Sequence, residues 1–131
     1  MTTKPLDLPT SPLAGATVRT AMQLGLFHCP ADADLRTLAR VMAERSIHCV
    51  VVGDDVVSDL DLMRGLQEPD GSRAASDVAT AGIRVLPNET LEAATRLMTE
   101  HGTSHLLVVS PQTGLPVGMI SSLDIARFAA A

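Results

Sequence analysis

Apolar positions along this chain follow two periods, and the two alternate in the same order twice. Leu35, Leu38, Ala39 and Met42 fall at i, i+3, i+4 and i+7, with Arg36, Arg40, Glu44 and Arg45 between them. That spacing predicts a helix with one buried face. Asp32 or Asp34 is the expected N-cap and Ser46 the expected stop. Ile47 to Val52 is β-branched and strand-sized, Gly53-Asp54-Asp55 supplies a tight turn, and Val56-Val57 a return strand, so the three predict a hairpin. Ser58 then opens a second helix through Leu66. Ahead of this block, Val18, Ala21 and Met22 predict a short helical turn, and Leu24 to His28 a short strand stopped by Pro30.

The same order returns after a connector. Ser76 to Thr80 reads as a turn, Ile83 to Leu86 as a strand, and Pro87 as its stop. Asn88 is the expected cap of a helix whose stripe is Leu91, Ala94, Thr95 and Met98, ended by Gly102. Leu106 to Val109 and Val117 to Ile120 are strands around a Pro111–Gly114 turn, and Ser121 or Ser122 caps the last helix. The pairs Leu35/Leu91, Leu38/Ala94, Met42/Met98 and Val50/Leu106 are each 56 positions apart, while Ser58/Ser121 and Asp61/Asp124 are 63 apart. The added residues all fall in the second hairpin's turn, where insertion is tolerated. Two copies of strand–helix–strand–strand–helix, each too small to bury its own sheet, are expected to pack as one pseudo-symmetric unit. The chain divides accordingly into a flexible tail (1–16, with Pro5, Pro9 and Pro12), repeat 1 (17–66), a linker (67–76) and repeat 2 (77–131).

The chemistry concentrates where a strand turns directly into a helix. In Gly118-Met119-Ile120-Ser121-Ser122-Leu123-Asp124, the Ser121 hydroxyl, the first helical N–H groups and the Asp124 carboxylate converge. Val56-Val57-Ser58-Asp59-Leu60-Asp61 has the same layout. A helix N-terminus offers free N–H donors to an anion, and a carboxylate can accept two hydrogen bonds from a vicinal diol such as a ribose. The competing reading is a capping box, in which Ser caps the helix and the acidic residue bonds back to the N-cap N–H.

Composition narrows the function classes. Only two residues, both Phe, are aromatic, so Val, Leu, Ile, Met and Ala must build the core. A net charge of −5 argues against nucleic acid or an anionic membrane surface as partner. No apolar run approaches a membrane span. Cys29 and Cys49, read as small buried hydrophobes, and the want of a secretory leader pattern point to a reducing cytoplasm. His28, His48, His101 and His105 lack metal-ligand spacing, and no Ser sits in a hydrolase context, so neither a metal site nor an enzyme is expected.

Taken in order, the segments Val18-Arg19-Thr20-Ala21-Met22 and Asp77-Val78-Ala79-Thr80, the helix end Leu97 to Gly102, the strand Thr103 to Val108 and the two Ser-x-x-Asp turns resemble a tandem cystathionine beta-synthase (CBS) domain pair, the Bateman module. The resemblance covers residues 17–131. It implies an α/β (α+β) fold of two CBS repeats, each a short three-stranded sheet with helices, related by a pseudo-twofold axis. It also implies clefts for AMP, ADP, ATP, NAD or S-adenosylmethionine, with no required cofactor, and a homodimer that regulates an enzyme or transporter. Carried over, one cleft uses Ser121 and Asp124 with Gln23, Leu26, Ile47 and His48 around the base. The other uses Ser58 and Asp61 with Thr80, Ile83, Thr103 and Ser104.

The chain also departs from the family pattern. Asp55 stands where Gly118 supplies the usual glycine, Gln23 where Thr80 supplies the usual hydroxyl, and Leu60 and Leu123 where an Arg is common. Asp59 adds a carboxylate beside one phosphate position. A unit charge at about 4 Å opposes a phosphate by roughly 1 kcal/mol in water and about 4 at an effective dielectric of 20. The Asp61 cleft is therefore expected to be the poorer polyphosphate site. The Asp124 cleft has only Arg127 and Arg19 as candidate cations. Two functions follow: an adenosine-ligand sensor that modulates a partner, or a ligand-free dimeric scaffold with degenerate clefts.

Overall fold

The computed structural model describes residues 11–69 and 73–131. The first half contains α1 (Val18–Ala21), β1 (Gln23–Leu24), α2 (Leu35–Arg45), β2 (Cys49–Val52), β3 (Asp55–Ser58) and α3 (Asp59–Leu66). The second contains α4 (Ala75–Val78), β4 (Thr80–Ala81), β5 (Arg84–Val85), α5 (Leu91–His101), β6 (His105–Val109), β7 (Pro116–Ser121) and α6 (Ser122–Ala130). The helix–hairpin–helix block expected twice is present twice. Residues 1–10 of the expected tail and 70–72 of the linker lie outside the described residues. Helix α4 starts at Ala75, inside the stretch read as linker.

Each long helix is placed by its stripe. Leu35, Leu38 and Met42 of α2 and Leu91, Ala94 and Met98 of α5 are buried, as the period required. Asp34 caps α2 by accepting from the Thr37 N–H at 2.7 Å, and Ser46 ends it in the left-handed region at φ 53°. Asn88 does not cap α5. Thr90 does, accepting from the Ala93 N–H at 3.0 Å, because it sits immediately before Leu91, the first residue of the buried stripe.

The sheets are not partitioned by repeat. The two strand–turn segments that precede the long helices are split. Gln23–Leu24 joins β7 in a four-stranded sheet, order β1-β7-β6-β5, while His28, expected in the same strand, forms a parallel bridge with Val51 on the other sheet. The chain changes sheets at Gly25, whose φ of +86° ends the strand. The second half does the converse. Thr80–Ala81 joins β3 in a three-stranded sheet, order β2-β3-β4, and Arg84–Val85 runs parallel to β6. Three strands per sheet were expected, and the sheet of the second half has four because β1 crosses into it.

The cores are exchanged with the strands. Ala16 and Val18 are buried among Val85, Leu91, Ala94, Met98, Leu106, Val108 and Ile120 of the second half. Ala75 is buried among Leu35, Leu38, Met42, Val50, Val52, Val57 and Leu62 of the first. Backbone bridges repeat the exchange, Thr17 pairing with Thr90 and Asp34 with Ala74. The end of the expected tail is therefore pinned: Ala16 is buried, its carbonyl accepts from the Leu91 N–H at 3.0 Å, and Leu13 packs on the second core. No helix among the described residues is long and apolar enough to cross a membrane.

Candidate functional site

Strand exchange brings one side chain from each half to a common carboxylate. In the second half, Ser121 caps α6 by accepting from the Asp124 N–H at 3.2 Å, and Asp124 Oδ2 accepts from the Ser121 N–H at 2.8 Å and its hydroxyl at 3.0 Å. Asp124 Oδ1 accepts from the Gln23 side-chain amide at 3.1 Å, delivered by β1 from the first half. Arg127, one turn along α6, places Nη1 3.9 Å from the same oxygen. Asp124 is buried, yet no buried side-chain polar atom among the described residues lacks a partner.

The equivalent turn in the first half is built alike. Ser58 and Asp61 form the same capping box, Thr80 from β4 donates its hydroxyl to Asp61 Oδ2 at 2.9 Å, and Arg64 approaches Asp61 Oδ1 at 3.8 Å. The capping-box geometry is thus present at both turns, and each carboxylate also receives a donor from the exchanged strand. The Gln23-for-Thr substitution preserves that donor with a longer side chain.

A cavity of about 530 Å³ opens above Asp124. All six residues assigned to this cleft from sequence line it: Gln23, Leu26, Ile47, His48, Ser121 and Asp124. Arg127 lines it too, whereas Arg19 does not. Sequence reasoning missed Leu24, Phe27, Cys49, His105 and Met119 on its walls. One of them was accessible from register, since His105 is the partner of Ser121 across the β6–β7 hairpin. Leu24 depends on β1 crossing between sheets.

Of the residues assigned to the second cleft, Ser58, Asp61 and Thr80 come together. The hydrogen bonds of the other three run elsewhere. The Ile83 carbonyl accepts from the Leu107 N–H, the Thr103 hydroxyl donates to the His105 carbonyl at 3.2 Å, and the Ser104 hydroxyl meets His105 Nδ1 at 2.9 Å.

Electrostatics on the cavity wall are set by burial and by carboxylates. Burial holds His105 below the ordinary imidazole range, the neighbouring His48 pushes the same way, and Asp59 and Asp124 oppose them. Burial pushes the Cys49 thiol up to about 12, with Asp61 and Asp59 adding to the effect, so it stays protonated. Cys29, expected to be buried, is half-buried. Among the described residues no group of three or more His, Cys, Asp or Glu side chains could hold a metal ion.

Two halves that exchange their leading strands and floor the intervening cleft with a capped-helix carboxylate define a duplicated α+β module of a known kind. The chain belongs to the CBS domain family, whose model matches residues 18–68 and again 75–131. No curated protein matches it in sequence. Solved structures with the same fold include the CBS domain pair of protein MJ0100 in complex with 5′-methylthioadenosine and S-adenosyl-L-methionine, at 15% identity and TM-score 0.79 over 88% of this chain and 96% of that one. The CBS domain protein PAE2072 from Pyrobaculum aerophilum, complexed with AMP, is 24% identical, TM-score 0.73, covering 88% and 99%. The CBS domain of the bacterial CNNM/CorC family Mg2+ transporter is 19% identical, TM-score 0.75, covering 89% and 76%.

Proposed function

We propose that this chain is a non-catalytic regulatory module that binds an adenosine-containing ligand in the Asp124 cleft and thereby modulates a partner protein. The supporting observation is the cavity that gathers Gln23, Leu26, Ile47, His48, Ser121 and Asp124 from both halves above one buried carboxylate. In this reading the ribose hydroxyls take the place of the Gln23 amide at Asp124 Oδ1, which is the oxygen not already used by Ser121. The base lies between the Leu26 and Ile47 side, and no cofactor is required. The similar domain pairs that hold AMP, or 5′-methylthioadenosine and S-adenosylmethionine, support the ligand class. The similarity to a transporter's CBS domain supports an enzyme or transporter as the regulated partner. The Asp61 site, whose Thr80 bond closes on the carboxylate, is assigned the lesser role.

A homodimer in the cytoplasm completes the reading. Apolar side chains stand half-exposed on α3 and α6, with Leu60 at 48%, Met63 at 54% and Leu123 at 49%. Regulation then follows from a difference in ligand affinity between two arrangements of the halves or of the dimer.

A thermal-shift panel of adenosine, AMP, ADP, ATP, NAD and S-adenosylmethionine tests the proposal. A true ligand raises the melting temperature with concentration as mass action requires, the added stability reaching about 2.7 kcal/mol at a hundredfold excess over Kd. Asp124→Asn, which keeps the side-chain shape, is expected to remove that shift while Asp61→Asn retains most of it. If no compound shifts the wild type, or if Asp124→Asn responds as the wild type does, the sensor reading is wrong and the ligand-free scaffold takes its place.

A further inference from the structure

The exchanged strands reach the two buried carboxylates differently. In the first half Thr80 donates to Asp61 Oδ2, the oxygen that also accepts the Ser58 N–H. At the equivalent turn Asp124 Oδ2 takes both the N–H and the hydroxyl of Ser121, at 2.8 and 3.0 Å. The longer Gln23 side chain reaches the other oxygen, Oδ1, at 3.1 Å. A carboxylate oxygen has about two acceptor positions. Oδ2 is therefore full, and Gln23 holds one of the positions on Oδ1. Arg127 Nη1, 3.9 Å from Oδ1, is beyond hydrogen-bond distance. Pairing with Met119 fixes the Gln23 backbone, so its amide stands at Oδ1 at a high effective concentration.

A ribose offers a vicinal diol, two donors side by side, and the oxygen left to receive them has room for one. We propose, resting on the adenosine-binding reading above, that Gln23 is a built-in competitor for the ribose. A riboside enters the Asp124 cleft only by releasing the Gln23 amide, so Gln23 sets the affinity of the site for ribosides. A 2′-deoxyriboside, with a single hydroxyl at the diol position, takes the remaining place on Oδ1 and leaves Gln23 bound. Binding of the diol trades a bond between the two halves for bonds to the ligand. Strand β1 then keeps its two-residue ladder with β7 but loses its side-chain tie to the α6 turn. Occupancy of the cleft is felt in this way by the exchanged strand.

Titration calorimetry on the full chain with adenosine and 2′-deoxyadenosine tests the assignment. Gln23→Ala removes the donor, and Gln23→Met removes it while keeping an unbranched side chain of similar length. Each variant is expected to bind adenosine about fivefold more tightly than the wild type, the worth of one hydrogen bond. Each is expected to bind 2′-deoxyadenosine within about twofold of the wild type. A merely structural role for Gln23 moves affinity the other way, since loosening β1 disorders the cleft. Adenosine affinity unchanged or weakened in both variants overturns the proposal, and so does a gain in only one of them, because both lack the donor. An equal gain for 2′-deoxyadenosine overturns it too. In each of those cases adenosine still binds and the adenosine reading stands. Binding of adenosine to neither the wild type nor the variants overturns that reading itself.

Discussion

The Gln23 side-chain amide donates to Asp124 Oδ1 at 3.1 Å, although the two residues are 101 positions apart. This bond spans the halves at the floor of the cleft. Strand β1, carrying Gln23, is paired with β7, which runs straight into the α6 cap that Asp124 closes. The donor and acceptor are thus fixed by one continuous ladder and one capping box.

Removing either partner has unequal consequences. Gln23→Ala forfeits one hydrogen bond of an exposed side chain, and a loss of about 0.5–1.5 kcal/mol is expected. Asp124→Ala also leaves the Ser121 N–H and hydroxyl without their acceptor, so a loss of about 1–3 kcal/mol is expected. Urea unfolding of the two single variants and the double variant measures the coupling. Strict additivity would show that the bond is absent in solution.

Gly118 holds the β1 contact open. A Cβ at this position would meet the Gln23 backbone carbonyl and, at 2.6 Å, the Met22 methyl. Gly118→Ala is expected to cost about 1–3 kcal/mol and to detach β1 from β7, carrying Gln23 away from Asp124. Amide hydrogen exchange at Gly25, whose N–H bonds the Val117 carbonyl, reports the detachment. The first half has Asp55 at the equivalent place, paired with Ala81, which shows that the other sheet does not need a glycine there.

Because Val18 belongs to the second core and Ala75 to the first, neither repeat carries a complete core of its own. A fragment ending at residue 69 and one starting at residue 73 are each expected to be unfolded by circular dichroism and to regain native signal when mixed. Independent folding of either fragment would contradict the exchange. Removal of residues 13–16 is likewise expected to destabilise the second core, on which Leu13 and Ala16 pack.

His105 supplies a pH signature. Its folded-state affinity for a proton is depressed, chiefly by burial, from the ordinary value of 6.5. Below that value the unfolded chain binds a proton that the folded chain resists, so stability falls as pH drops through 6.5 toward the lower folded value. Above it the residue contributes no slope. His105→Gln is expected to flatten the stability curve between about pH 7 and pH 5, measured by chemical unfolding at each pH. An unchanged slope would mean that the imbalance lies in other groups.

Much of this arrangement was legible in the residues. Helices α2 and α5 declared themselves through an apolar stripe with a helical period, since burial of one face dictates that spacing wherever the helix packs. The hairpins were marked by β-branched runs around turn residues, and the Ser-x-x-Asp pairs marked the starts of α3 and α6 by local hydrogen bonding alone. Such signals lie within a few residues of one another. The Thr90 cap was missed because Asn88 is an equally good capping type, and only the packing of Leu91 selects between them.

What the sequence by itself determined was the duplication, the two carboxylate turns and the residue types of the core. What the tertiary structure decided was which half each leading strand serves. Residues 24–28 read as one strand, but the left-handed turn at Gly25 sends its two ends to different sheets. No local pattern encodes that choice, because a two-residue strand is stabilised by the ladder it joins and not by its own period. The same crossing places Gln23 on Asp124 and Thr80 on Asp61, and His105 and His48 line the cavity above Asp124. The site is therefore made by long-range pairing of segments whose chemistry was visible, but whose meeting place was not.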